Sequence, residues 1–210
     1  MHVTIIPVGM LGTNCYLLYS DKNSCAIIDP GAQAEKIADI IAAKNLIPRY
    51  ILLTHGHYDH IGGVKRLMEK YPEAGLYVGE EDIELITDPE RNYVSNRGLD
   101  RDAFYIPGAK AAKEGDILEL DDLRVGVLET PGHTKGGVCY LCGDIVFSGD
   151  TLFYENCGRC DLYGGDFEVI KRSLSRLAGL EGDYTVYPGH GESTTMDHER
   201  GHNPYINLKA

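Results

Sequence analysis

The sequence predicts an α/β fold in which two β-sheets face each other and helices cover their outer sides. Two observations carry this prediction. Each half of the chain combines short β-rich runs with an amphipathic helical pattern, a repetition that is typical of a layered architecture. The chain has 210 residues and no low-complexity linker divides it. We therefore expect one domain that spans residues 1–210.

In the first half, short apolar runs of strand type alternate with segments that have helical spacing. The expected strands are 2–6, 14–20, 25–29, 50–53 and 75–79, and the expected helices are 34–45, 64–71 and 81–87. Residues 88–113 have no clean period and contain scattered Gly, Pro and charged residues. We expect a long surface excursion there.

The second half has the same style. The expected strands are 116–120, 124–130, 136–141, 144–150 and 184–188, and the expected helices are 167–180 and one within 193–205. The segment 167–180 has apolar residues on one face of a helix, and Ser and Thr near residue 193 are plausible capping residues for the last helix.

The charge balance limits the partners that we expect. Asp and Glu total 32 against 20 Lys and Arg, which gives a formal net charge of −12. Binding to nucleic acid or to an anionic membrane depends on basic surface. We therefore expect neither partner. A small-molecule substrate is expected instead, and the sequence leaves the oligomeric state open.

The beginning of the chain predicts its compartment. The first residues, MHVTIIPVGMLGTNCYLL, lack a basic leader before an apolar core, so we expect no signal peptide. No apolar run approaches the ~20 residues that a membrane-spanning helix needs. We expect a soluble cytoplasmic protein whose six cysteines are mostly reduced.

The segment LLTHGHYDHIGG, residues 52–63, places three histidines and an aspartate in six consecutive positions: His55, His57, Asp59 and His60. Residues two apart do not share a helix face, which excludes the helical His-Glu-x-x-His arrangement. The segment follows the strand at 50–53, and a loop at a strand end can turn several side chains toward one point. Imidazole and carboxylate are ligands that zinc prefers and that iron also accepts. The segment therefore predicts a metal site.

Three later strand ends carry the same residue types. LETPGHT places His133 after a strand, IVFSGDT places Asp150 after another, and TVYPGHG places His190 after a third. Each turn alone is weak evidence for function, because Pro-Gly turns are common. Together with the first segment they supply five histidines and two aspartates at the same kind of position.

These segments together resemble the metallo-β-lactamase superfamily. The resemblance rests on THGHYDH, TPGHT, SGDT and PGHG, and it spans residues 14–204. Within the superfamily, NCYLL, AIIDPG, GDTLF and HERGHNP are similar to the glyoxalase II-like (hydroxyacylglutathione hydrolase-like) enzymes of the short single-domain type. The resemblance implies an αββα sandwich of two facing mixed β-sheets with helices outside, the metallo-β-lactamase fold.

The resemblance also implies a role for each candidate ligand. His55, His57 and His133 would hold a first metal ion. Asp59, His60 and His190 would hold a second one, and Asp150 would bridge the two. Asp59 and Asp150 would also take part in catalysis. We expect two divalent ions, zinc first, with iron or manganese as further candidates, and hydrolysis of a thioester such as S-lactoylglutathione. Asp29, in IIDPG, is either a support for the site or a turn residue.

The loop GDTLFYENCGRCDLYGG has the outline of the family's glutathione-binding loop, with Arg159 in place of a lysine. It implies that Cys157, Gly158, Arg159 and Tyr163 bind the substrate. Arg159 could bind a carboxylate with two parallel hydrogen bonds, or it could pair with Asp161 inside the loop.

The chain departs from typical glyoxalase II enzymes in two respects. Gly56 stands at the second histidine of their Thr-His-His-His-x-Asp-His motif, and only about twenty residues follow His190, where those enzymes have a helical domain that binds glutathione. The thiol carrier and the acyl group therefore stay open.

Other branches of the superfamily differ at specific positions. Zinc β-lactamases are exported and have a cysteine where Asp150 stands, which argues against antibiotic hydrolysis. Flavodiiron oxidoreductases have a glutamate where His57 stands and carry a flavin domain, and nucleases need basic surface and further domains. Persulfide dioxygenases resemble the chain in length and in His-x-His-x-Asp-His but use one iron, so they stay an alternative.

A third hypothesis is a metal or redox module without catalysis, built on cysteines. Cys139-x-x-Cys142 and Cys157-x-x-Cys160 have the spacing of a zinc ribbon. However, residues three apart in a strand point to opposite faces. We therefore expect Cys139 and Cys142 to pack in the core, while Cys157 and Cys160 could be redox-sensitive.

Overall fold

The first half of the chain builds a mixed sheet whose strands follow one another in chain order. A computed structural model describes residues 1–207, so that the last three residues of the predicted domain lie outside the described part. Within residues 1–207 this first sheet has six strands, of which the first three are antiparallel and the later ones parallel. They are β1 (His2–Val8), β2 (Thr13–Tyr19), β3 (Ser24–Ile28), β4 (Ile47–Leu52), β5 (Gly75–Gly79) and β6 (Lys110–Ala112).

The second half builds another mixed sheet. Within the described residues it has six strands in the order β14-β13-β10-β9-β8-β7, with a parallel pairing between β10 and β13. The strands are β7 (Ile117–Leu120), β8 (Leu123–Glu129), β9 (Val138–Cys142), β10 (Ile145–Gly149), β13 (Thr185–Pro188) and β14 (Thr194–Thr195). A short ribbon of β11 (Leu152–Phe153) and β12 (Asn156–Cys157) follows β10.

The helices connect the strands. They are α1 (Ala34–Ala43), α2 (Tyr58–Ile61), α3 (Val64–Lys70), α4 (Ile83–Ile86), α5 (Phe167–Ala178) and α6 (Met196–His202). The last two begin at side-chain caps. Asp166 accepts a hydrogen bond from the Val169 N–H at 3.0 Å, and Thr195 accepts one from the His198 N–H at 3.2 Å. Such caps satisfy backbone donors that the first turn of a helix leaves free.

Apolar side chains of the two sheets meet in a shared interior. Leu18, Ile28 and Leu52 of the first sheet lie in one buried cluster with Tyr140 and Phe147 of the second sheet. The sheets therefore face each other, as the sequence predicts. Because side chains alternate across a strand, the side chains on the outer face of each sheet must be covered by other elements.

Helices cover the outer faces. Ile37 and Ile41 of α1 and Leu67 of α3 pack in a buried cluster with the outer side of the first sheet. Leu174 of α5 and Met196 of α6 pack with the outer side of the second. The αββα sandwich of two mixed sheets is thereby confirmed.

The structure adds short elements that the sequence pattern does not indicate. The stretch 88–113, expected as a surface excursion, contains short 3-10 turns at Ser95–Arg97 and Arg101–Phe104 and ends in β6. The strands β6, β11, β12 and β14 have two or three residues each, too few for a period of two to stand out from chance.

Candidate metal centre

The strands that carry the predicted ligands all end at one edge of the sandwich. In the first sheet β3 and β4 are parallel. In the second, β8 and β10 are each antiparallel to β9, and β13 is parallel to β10. The carboxyl ends of β8, β10 and β13 therefore lie on the same side, which is where open α/β sheets place their ligand sites. The loop after β4 meets these three ends.

Three histidines form a first cluster. His55, His57 and His133 offer ring nitrogens that all lie within 4.8 Å of one another, and all three residues are buried. His57 Nδ1 and His133 Nε2 are 2.9 Å apart. The first two come from the loop after β4 and the third from the turn after β8, so the fold joins positions that are 76 residues apart.

A second cluster lies next to the first. Asp59 and His60, in α2, meet His190 from the turn after β13. His60 Nε2 lies 3.3 Å from His190 Nε2, and Asp59 Oδ2 lies 3.2 Å from His190 Nε2. The helix α2 begins directly after His57, and the His60 ring also lies against the first cluster, with its centre 4.1 Å from that of His55.

Asp150 lies between the two clusters. One of its carboxylate oxygens, Oδ2, is 3.5 Å from His133 Nε2 in the first cluster, and the other, Oδ1, is 3.4 Å from His60 Nε2 in the second. A carboxylate in this place can face both clusters at once. The structure thus brings together all seven residues that the sequence predicts as ligands.

Three buried atoms in this region fit metal ligands. His55 Nε2, His57 Nε2 and Asp150 Oδ1 have no hydrogen-bond partner within residues 1–207. Buried polar atoms are nearly always paired, and an ion is a recognised reason for an exception. The donor set of imidazole and carboxylate is one that zinc and iron accept.

Hydrogen bonds at the far side of two rings orient them. His60 Nδ1 lies 3.0 Å from Asp29 Oδ2, and His133 Nδ1 lies 2.7 Å from the carbonyl oxygen of Arg159. Because these oxygens accept, each Nδ1 donates, and the Nε2 lone pair is left for the cluster. Asp29 also accepts bonds from the N–H and the hydroxyl of Thr54, at 2.8 and 2.6 Å. Of its two expected roles, Asp29 thus has that of a support.

The carboxylates of the site are held in the charged form. Burial alone would raise the pKa of Asp59, but the neighbouring His60 and the hydrogen bond to His190 hold it at about 2. Burial also opposes ionisation of Asp150, and His60 and His133 nevertheless keep its pKa well below the usual range. Two ionised carboxylates among histidines suit a cationic ligand.

A buried aspartate that no sequence motif indicates ties the ligand loops together. Asp82, at the end of a 3-10 turn before α4, is fully buried. Its Oδ2 accepts the Gly56 N–H at 2.8 Å, and its Oδ1 accepts the Gly136 N–H at 2.7 Å. Gly56 lies between His55 and His57, and Gly136 follows the turn of His133. In the sequence, Asp82 resembles any acidic residue at the start of a helix.

A cavity of about 340 Å³ opens over both clusters. Its walls include two arginines, Arg97 and Arg159, and two tyrosines, Tyr58 and Tyr93. The Arg97 guanidinium lies over the Tyr58 ring at 5.3 Å from its centre. The remaining lining residues are Leu11, His57, Asp59, His133, Asp150, Leu162 and His190. Arg97 lies in the excursion, where no local pattern indicates a binding residue.

Of the four residues predicted to bind substrate, Arg159 lines this cavity. Its Nε and Nη2 each lie 2.7 Å from a carboxylate oxygen of Asp161, so the pair inside the loop is present. Gly158 packs against the site, because a Cβ there would lie 1.8 Å from Asp150 O and 3.0 Å from His133 Nδ1.

Cys157 and Tyr163 make other contacts. Cys157 packs against the outer cluster of the second sheet, and burial raises the pKa of its thiol to about 12. The Tyr163 hydroxyl donates to Glu84 Oε1 at 3.0 Å, and its ring lies under Lys135 at 5.1 Å. Their predicted contact with a substrate stays a prediction.

Cys139 and Cys142 pack as expected. Cys139 lies in the outer cluster of the second sheet and Cys142 in the interior between the sheets, on opposite faces of β9. Among the residues that the structure describes, the groups able to hold a metal ion consist of histidine and aspartate, and none includes a cysteine. The ribbon-type module is therefore not supported.

No helix within residues 1–207 combines the length and the apolar character that a bilayer crossing requires.

Comparisons with known proteins agree with this geometry. The model of the metallo-beta-lactamase superfamily matches residues 8–190. Hydroxyacylglutathione hydrolase GloC of Haemophilus influenzae is 33% identical, with 100% of both chains covered. The family match includes every residue of the two clusters.

Solved structures resemble the whole chain. The crystal structure of BLEG-1 B3 metallo-beta-lactamase has a TM-score of 0.89 and 33% identity, covering 98% of this chain and 100% of that one. The structure of TTHA1623 in a di-iron-bound form has a TM-score of 0.86 and 33% identity, covering 97% and 100%. From the fold, the two clusters and these matches, the chain belongs to the metallo-β-lactamase superfamily.

Proposed function

We propose that the chain is a hydrolase that cleaves acyl thioesters, S-lactoylglutathione or a related compound, with two divalent metal ions at its two clusters. Zinc is the expected metal, and iron or manganese would fit the same donors. The observation that carries the proposal is the place of Asp150, whose carboxylate lies 3.5 Å from His133 Nε2 in the first cluster and 3.4 Å from His60 Nε2 in the second.

Bound metal ions would supply a water of lowered pKa and a polarised carbonyl group. The protein's own groups add charge and orientation. Asp59 and Asp150 are ionised and line the cavity, so they can balance the positive charge and accept a hydrogen bond from an entering water. Such fixed groups need no rearrangement during the reaction. A serine or cysteine nucleophile is not required.

The mouth of the cavity suits an anionic part of the substrate. Arg97 and Arg159 both line it, and guanidinium groups bind carboxylates well. Arg159 is also bound to Asp161, so a substrate carboxylate would compete with that aspartate. A thiol carrier with a carboxylate, such as glutathione, fits this arrangement, and the relative GloC is named a hydroxyacylglutathione hydrolase.

The test combines metal analysis with turnover. Protein purified without added metal should contain two metal ions per chain, and a chelator should abolish hydrolysis of S-lactoylglutathione. Addition of Zn, Mn or Fe should restore it. Activity that survives complete metal removal would exclude the proposed chemistry.

Two other activities are measured on the same preparation. One iron per chain, with oxygen uptake on a persulfide and no thioester cleavage, would favour the dioxygenase. Because the solved structure of BLEG-1 is named a metallo-beta-lactamase, a cephalosporin is included as a third substrate. Cleavage of the cephalosporin without cleavage of thioesters would contradict the proposal.

A further inference from the structure

A second cavity, of about 300 Å³, lies beside the metal centre. It shares Leu11, Tyr58 and Asp59 with the first cavity, so the two form neighbouring lobes of one site. A volume of this size is at the lower end of small-molecule sites. The second lobe therefore has room for part of a substrate whose reacting group lies at the clusters.

Apolar side chains make up most of the walls of this lobe. Met10, Leu11, Ala32, Leu99 and Phe104 line it. Met10, Leu11 and Leu99 are 102, 52 and 44% exposed, and they are three of the ten large hydrophobic residues exposed among the described residues. Exposed apolar side chains gathered around a cavity are typical of a binding site.

The connection between β1 and β2 brings two of these side chains to the lobe. Gly9 and Gly12, on either side of Met10 and Leu11, have φ of +68° and +66°, a region that favours glycine. The two turns project Met10 and Leu11 from the end of the hairpin. Leu99 and Phe104 reach the lobe from the excursion 88–113, whose sequence has no helical or strand period.

The two lobes differ in the charged residues that line them. Arg97 and Arg159 line the first lobe together with Asp59 and Asp150, while the charged residue that lines the second is Asp59, at the shared border. The first lobe therefore offers arginines to an anionic carrier, and the second lobe offers none. The second lobe is left for an uncharged, apolar group.

We propose that the second lobe binds the acyl chain of the substrate, so that the preferred substrates are thioesters of apolar acyl groups of roughly six to eight carbons. This inference rests on the proposed thioester hydrolysis. The length follows from the cavity volume of about 300 Å³: a methylene is about as large as a water molecule, whose share of liquid volume is about 30 Å³, and a flexible chain leaves part of the space unfilled.

The first experiment is a series of acetyl, butyryl, hexanoyl and octanoyl thioesters of one carrier. We expect kcat/KM to rise roughly fourfold for each methylene, the equivalent of about 0.8 kcal/mol per buried methylene. The rise should stop when the lobe is full, and most of it should come from KM, because the chain lies away from the reacting carbonyl.

The second experiment compares two variants of matched exposure. Leu99→Ser removes an apolar wall of the lobe and should flatten the dependence on chain length. Ile117→Ser changes a side chain that is 47% exposed on β7, against 44% for Leu99, and should keep the parent's dependence. Urea unfolding of both variants checks that they remain folded.

A binding measurement does not depend on turnover. In titration calorimetry, the S-octyl thioether of N-acetylcysteamine should bind the parent protein more tightly than the S-methyl thioether, with a negative heat-capacity change. In Leu99→Ser the difference between the two thioethers should shrink.

The outcomes separate this inference from the proposed function. Equal kcat/KM across the acyl series, or equal binding of both thioethers, would overturn the acyl lobe while leaving thioester hydrolysis in place. If no thioester is cleaved but the octyl thioether still binds more tightly, the proposed function fails and the apolar lobe stands.

Discussion

Replacement of Asp82 by asparagine tests whether this buried carboxylate holds the two ligand loops together. Each of its oxygens accepts one backbone N–H, from Gly56 at 2.8 Å and from Gly136 at 2.7 Å. Asparagine has nearly the same shape but only one acceptor oxygen. In Asp82→Asn one of the two N–H groups therefore loses its acceptor and meets an amide NH₂ instead.

The expected cost follows from these two bonds. A buried donor that loses its partner costs about 1–3 kcal/mol, so Asp82→Asn should lower the free energy of unfolding by about 1–3 kcal/mol. Asp82→Ala leaves both N–H groups without acceptor and should cost about twice as much. The exposed Asp39 on α1 supplies the control, since Asp39→Asn should stay within about 0.5 kcal/mol.

The assay is urea unfolding of the metal-free protein, because bound metal would add its own stabilisation. Metal affinity is measured separately by competition with a chelator. We expect a loss of about tenfold in Asp82→Asn, at the low end of the effect of residues that support metal ligands. Unchanged stability and unchanged metal affinity in Asp82→Asn would contradict the role of Asp82 in holding the two ligand loops together, because the N–H groups of Gly56 and Gly136 would then have other acceptors.

Three further variants test other parts of the site. Asp59→Asn should lose metal from the second cluster and reduce kcat by ~10²–10³; two retained metals with parental turnover would contradict its role as a ligand. Arg159→Ala should raise KM for carboxylate-bearing thioesters much more than it lowers kcat, whereas equal losses on a neutral thioester would mean that Arg159 only stabilises its loop. In Gly149→Ala, with φ of +50° and a Cβ only 2.2 Å from Thr54 Oγ1, we expect a loss of about 1–3 kcal/mol in urea unfolding. Gly201→Ala is the control, because a Cβ added at this position in α6 would have no atom within 4 Å. It should be neutral or stabilise the protein by up to about 1 kcal/mol. Equal changes in the free energy of unfolding for the two variants would contradict the predicted clash at Gly149.

Long periodic segments could be predicted from the sequence because their signal is local. The α5 pattern, the apolar runs of β2 and β10 and the order of strands and helices in each half all follow from the spacing of apolar side chains. The short strands β6 and β14 could not be predicted. They exist because a neighbouring strand offers them backbone partners, which depends on the assembled sheet.

The candidate ligands could also be predicted from the sequence, because residue types that bind metals stand at turns directly after predicted strands. His133, Asp150 and His190 each follow a β-rich run at a turn, and parallel strand directions then bring such positions to one edge. The substrate-binding residues were harder to predict from the sequence. Tyr163 lies in the predicted loop, yet its hydroxyl bonds to Glu84, 79 residues away in the chain.

The sequence by itself determined the layered architecture and the histidines and aspartates at the strand ends, because both depend on residue type and on short-range spacing. The tertiary structure alone decided which residues surround the candidate metal centre. Asp82, Arg97 and the apolar lobe at Leu99 have no local pattern, since each obtains its role from a segment distant in the chain. A hydrogen bond or a cavity wall needs two surfaces to meet, and only packing of the folded chain decides where they meet.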